Sequence, residues 1–74
     1  MTKEESLAKV SKELMWKEPF YGFFLIMLNK VWNLKVPTAG VSKNGINYQL
    51  SINEKFWMSL SENHRIGLLK HELN

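Results

Sequence analysis

Apolar residues first recur at helical spacing, as Leu7, Val10 and Leu14, with polar residues between them. Thr2 precedes this stripe and Glu5 follows three positions later. That is a capping-box pattern, in which each side chain takes the other residue's backbone N–H. A first helix is predicted over about residues 3–16. Lys17-Glu18-Pro19 interrupts it. Pro19 suits the first turn of a new helix, where its missing N–H would have no helical partner. From Phe20 to Trp32 the chain is apolar almost all round. Read as a helix over about residues 20–33, this stretch must be buried on several sides, as a core helix. Gly22 lowers its helicity, and either a close helix crossing or an incidental glycine accounts for it.

Val36-Pro37 closes the helical region. Residues 38–42 are a strand candidate, and Lys43-Asn44-Gly45 follows. Asn-Gly is the strongest short-range hairpin signal, because both residues tolerate positive φ. Ile46, Tyr48, Leu50 and Ile52 then alternate with Asn47, Gln49 and Ser51, the pattern of a half-buried strand. A β-hairpin over about residues 38–52 results. Asn53 can cap a short helix holding Phe56 and Trp57. Ser61 can cap a last helix from near Glu62, with Ile66, Leu69 and Leu73 as its core stripe. Two helices, a hairpin, a short helix and a last helix make an α+β domain spanning residues 1–74.

Composition narrows the chemistry. The 74 residues include no Cys, so disulfides and thiolate metal sites are excluded, which fits a reducing cytoplasm. The net charge is +3, but the ten basic residues are scattered and only one is Arg. A nucleic-acid-binding module is therefore weakly signalled. The apolar run from Phe20 to Leu28 is about half the roughly 20 residues a membrane span needs. Four isolated glycines make no phosphate-binding loop. Phe20, Phe23, Phe24, Trp32, Phe56 and Trp57 can be read as a ligand box, but at helical spacing they read better as core. Ser61-Glu62-Asn63-His64 reads as a helix cap and not as a catalytic triad.

One pattern points to a reaction. Leu68-Leu69-Lys70-His71-Glu72-Leu73-Asn74 ends the chain. His-Glu on an amphipathic helix is the opening of His-Glu-x-x-His, in which two imidazoles four residues apart ligate zinc and the Glu serves as general base. The second His would fall just after Asn74. His64 shares a helical face with His71. It is a candidate second imidazole, although a solvent-facing first-turn residue is the simpler reading.

The surrounding residues resemble the N-terminal part of a VWA-like metallopeptidase family of bacteria and phages. The resemblance runs through Glu18-Pro19-Phe20-Tyr21-Gly22, Val36-Pro37-Thr38-Ala39-Gly40-Val41-Ser42, Leu50-Ser51-Ile52-Asn53, Phe56-Trp57, Leu60-Ser61 and Leu68-Leu69-Lys70-His71-Glu72-Leu73. It implies a partial zincin-like domain. The hairpin would then lie in a sheet beside the active-site helix, and an edge strand could pair with a peptide or protein substrate. It also implies His71 as first zinc ligand and Glu72 as catalytic base, both only in a longer parent. The remaining ligands lie beyond residue 74, and zinc needs at least three from the protein. This chain would then be an inactive N-terminal fragment holding no zinc itself, expected in the cytoplasm of a bacterial or phage-infected cell. The alternative is a complete small protein that binds a host protein as inhibitor or adaptor, or pairs as a homodimer, through apolar surface.

Overall fold

The computed structural model describes residues 1–73, and Asn74 lies outside the described residues. Helices α1 (Lys3–Lys17) and α2 (Pro19–Met27) come first. Strands β1 (Asn29–Trp32), β2 (Ala39–Asn44) and β3 (Asn47–Ile52) follow, then helices α3 (Glu54–Ser59) and α4 (Glu62–Glu72). The class is the expected α+β. The sheet order is β1-β3-β2, with β3 central, parallel to β1 and antiparallel to β2.

The capping box forms as the sequence implies. Thr2 N–H donates to Glu5 Oε1 at 2.9 Å, and Glu5 N–H donates to Thr2 Oγ1 at 3.1 Å. Asn53 and Ser61 cap α3 and α4. Asn53 does more, because its Nδ2 donates to Val36 O at 2.8 Å and its backbone N–H to Thr38 O at 2.7 Å. One side chain thus starts α3 and pins the β1–β2 connection to the end of β3.

The helix expected over residues 20–33 ends at Met27 instead, and Asn29–Trp32 is a strand. An almost uniformly apolar stretch satisfies both the 3.6 and the 2 period, so its pattern does not say where one gives way to the other. One local closure and one non-local pairing decide it. Lys30 Nζ reaches back to Leu25 O at 2.9 Å, which also accepts the Leu28 N–H at 3.3 Å, and to Leu28 O at 3.0 Å, closing the helix end. Asn33 N–H then donates to Ile52 O at 2.9 Å, continuing the pairing with β3. Partial burial holds the Lys30 amine below the usual lysine pKa.

The hairpin turn is also shifted. Asn44 pairs with Asn47, so the two-residue loop is Gly45-Ile46. Only Gly45 has positive φ, at 67°, which is the type II′ pattern. The hairpin tip projects past the core. Leu50 and Ile52 are buried, Tyr48 is half out, and Ile46 is 93% exposed.

The core joins Leu7, Val10 and Leu14 of α1, Leu25 and Leu28 at α2, Leu50 and Ile52 of β3, Trp57 of α3 and Leu69 of α4. A buried polar node lies within it. Trp57 Nε1–H donates to Ser6 Oγ at 3.0 Å, and Arg65 Nη1 donates to the same oxygen at 2.7 Å. Arg65 Nε also reaches Trp57 O at 2.9 Å, and its guanidinium lies 5.4 Å from the indole centroid. Trp32 meets Trp57 edge-on at 6.2 Å.

Helix α2 packs unlike the core helix expected of it. Only Gly22 and Leu25 are buried, while Phe20, Phe23, Phe24, Ile26 and Met27 are exposed. Gly22 is no incidental glycine. A Cβ there would lie 2.3 Å from Met15 Cα and 2.9 Å from Leu14 C, so α2 touches the backbone of α1.

Two stability measurements follow. Gly22→Ala should lower unfolding stability by about 1–3 kcal/mol or more, because backbone must move to admit the methyl. Gly40→Ala, with nothing within 4 Å of its added carbon, should be close to neutral. Equal urea midpoints for the two variants would refute the close crossing. Ser6→Ala should cost about 1–3 kcal/mol, since it strips a shared acceptor from the buried indole and from the guanidinium. A urea midpoint unchanged from the parent would show that the node carries no stability.

Candidate functional site

The residues singled out for zinc chemistry sit on α4, and the helix is anchored from both ends. At its start, Ser61 Oγ accepts His64 N–H at 3.3 Å and lies 3.0 Å from His64 Nδ1. One turn on, Arg65 ties the helix to α3 and α1 through the Trp57 carbonyl and the Ser6 hydroxyl. Leu69 is fully buried in the core. Lys70 then joins the last turn to the α1–α2 corner. Its amine lies 2.5 Å from Glu18 Oε2 and 5.9 Å from the Tyr21 ring centroid. The hydrogen bond that Lys70 donates to the Glu18 carboxylate is the main reason its pKa rises above the usual lysine value.

His71 and Glu72 complete this anchored turn. His71 is exposed and Glu72 is half-buried. No hydrogen bond or ion pair among the described residues engages either side chain. The motif's last letter, Asn74, lies outside the described residues. Lys70 and His71 in the final turn suit the negative end of the helix dipole.

His64 and His71 are not brought together. Seven helical positions separate them by about 10 Å along the axis, whereas two imidazole nitrogens on one zinc sit within about 4 Å of each other. Ser61 also holds the His64 ring toward the helix start. Among the described residues, no three His, Cys, Asp or Glu side chains come together where they could hold a metal ion. No pocket opens on the described surface beside His71. The described residues therefore do not fit a zinc centre, and their own part is one exposed imidazole and one neighbouring carboxylate.

The aromatic residues do not form a common box either. Trp57 is buried, Trp32 and Phe56 are half-buried, and Phe20, Phe23 and Phe24 face outward. The core role expected of those three Phe residues is thus corrected. Their exposure is the surface feature that sequence reasoning missed. Its signal was the spacing 20, 23, 24 and 27, which marks one helical face whichever way that face turns.

No helix among the described residues is long and apolar enough to cross a membrane. Compared with protein families, curated proteins and solved structures, the chain matches none.

If Lys70 holds the last turn in place, Lys70→Met should speed amide hydrogen exchange at His71 and Glu72 while leaving Leu69 protected. With the folded pKa raised, this contribution is fully present below the free-lysine pKa. It is lost only as pH climbs through the higher folded value. Unchanged exchange at His71 in the variant would show that the Glu18 contact does not position the site.

Proposed function

We propose that the chain is the N-terminal part of a zincin-like metallopeptidase domain, catalytically inactive by itself. It would contribute His71 as first zinc ligand and Glu72 as general base in a longer polypeptide. The observation that supports this most is the state of the last turn of α4. A His-Glu pair stands on a helix packed into the same core as β3, with its neighbours tied down and both its own side chains unengaged among the described residues. His64, by contrast, has a local partner in Ser61. The family resemblance supplies the chemical meaning, and the expected substrate is a peptide or protein. A cytoplasmic setting belongs to the same reading and fits the absence of Cys.

The exposed apolar face of α2 favours a second reading. There the chain is a small binding protein built on the front of this fold, acting as inhibitor or adaptor.

The coding frame after Asn74 separates the two. The metallopeptidase reading expects an open frame with His as the next residue, and an immediate stop codon would turn the balance to binding. In the longer polypeptide, His71→Ala should abolish both zinc content and peptide hydrolysis. Glu72→Ala should lose hydrolysis and retain the metal. Zinc lost from Glu72→Ala would remove the general-base assignment.

A further inference from the structure

Helix α2 is amphipathic in size rather than polarity. Its small or aliphatic side, Gly22 and Leu25, is buried against α1 and the core. Its outer side carries Phe20 at 77% exposure, Phe23 at 62%, Phe24 at 41% and Met27 at 71%, with Ile26 alongside at 55%. No charged residue lies between Glu18 and Lys30. The positions 20, 23, 24 and 27 follow i, i+3, i+4, i+7, the spacing of a seam that receives another helix.

We infer that this face is the self-association surface of the protein, and that its occupant is α2 of a second copy packed antiparallel across a two-fold axis. Three observations select a second copy. The first is the symmetry of the seam. A two-fold interface must be self-complementary, and the four positions are symmetric about the point midway between Phe23 and Phe24. Antiparallel pairing therefore sets Phe20 of one copy opposite Met27 of the other, a sulfur–aromatic contact. It also sets Phe23 opposite Phe24, where rings meet rings. The second is charge. Each copy carries +3, yet none of that charge is on α2, so like-charge repulsion stays outside the seam. Antiparallel α2 helices also place opposite dipole ends side by side.

The third observation is area. With roughly 200 Å² for a large apolar residue, the exposed parts of these five side chains come to about 600 Å² per copy. Two copies would cover about 1,200 Å², the lower end of the range for specific interfaces. An interface at this end of the range suits a weak dimer that dissociates on dilution. The inference does not use His71 or Glu72, so it stands or falls separately from the zinc reading.

Sedimentation velocity from about 1 μM to 1 mM tests it. The chain should pass from monomer to dimer across that range. Phe23→Glu and Phe24→Lys should each stay monomeric throughout, with far-UV circular dichroism unchanged because both residues are on the outside. Mixed in equal amounts, the two variants should dimerise, since Glu at 23 then faces Lys at 24 of the other copy. Should either variant unfold, Met27→Lys takes its place and should also be monomeric. A wild-type chain that remains monomeric at 1 mM overturns the inference. So does a dimer that survives every seam substitution, or a mixture of folded variants that fails to pair. A monomer that sediments with vesicles of anionic phospholipid would assign the face to a membrane surface instead.

Discussion

The indole of Trp57 organises the molecule. It comes from the short helix α3, which has too few residues to be stable alone, and it is fully buried. A buried indole N–H needs an acceptor, and here α1 supplies one through the Ser6 hydroxyl. The same oxygen takes an Arg65 N–H from α4. Three helices that share one apolar core are thereby also fixed to one polar atom. Arg65 adds a second bond to the Trp57 carbonyl and covers the ring face. An apolar residue at position 6 would keep the burial but leave both donors without their acceptor. The arrangement is thus a matter of register as much as stability, because it fixes which turn of α4 faces α1, and hence where His71 and Glu72 emerge two turns later.

Local signals were legible wherever one residue type has one physical use. Thr2 with Glu5, Asn53 and Ser61 each announced a helix start, and each is a cap in the structure. The alternation through Leu50 and Ile52 announced a strand with a buried face. What could not be read depends on partners distant in sequence. β1 exists because β3 offers a free edge, twenty positions away in register, and because Lys30 closes α2 from outside it. Nothing in Asn29-Lys30-Val31-Trp32 states that edge. The turn at Gly45-Ile46 shows the same limit on a smaller scale. Asn44 and Gly45 both tolerate positive φ, but the register of Asn44 with Asn47 leaves only Gly45 in the loop.

The candidate site was legible as residues and not as geometry. His-Glu at the end of an amphipathic helix is visible in the sequence, and its lack of partners among the described residues is visible only in the structure. His64 illustrates the difference. It shares a face with His71 on a helical wheel, yet Ser61 holds its ring and two turns of rise separate the pair. A wheel drops the axial coordinate, and metal coordination depends on it.

The orientation of α2 follows from steric sorting. Its residues are all apolar or nearly so, so hydrophobicity does not choose which side turns inward. Helices usually cross with axes about 8–10 Å apart, filled by side chains. Here α2 rests on the backbone of Met15 and Leu14, a contact only a residue without Cβ can make. Gly22 must therefore point inward, and Leu25, three positions on, follows it into the core. Turning Phe23 or Phe24 inward would drive the helices apart and pull Leu25 and Leu28 away from the Lys30 amine that closes the helix. The bulky residues are left outside by the same contact that holds α1 and α2 together. The exposed seam is then a consequence of how this helix pair locks, and any polypeptide that covers it must meet four bulky side chains in fixed helical register.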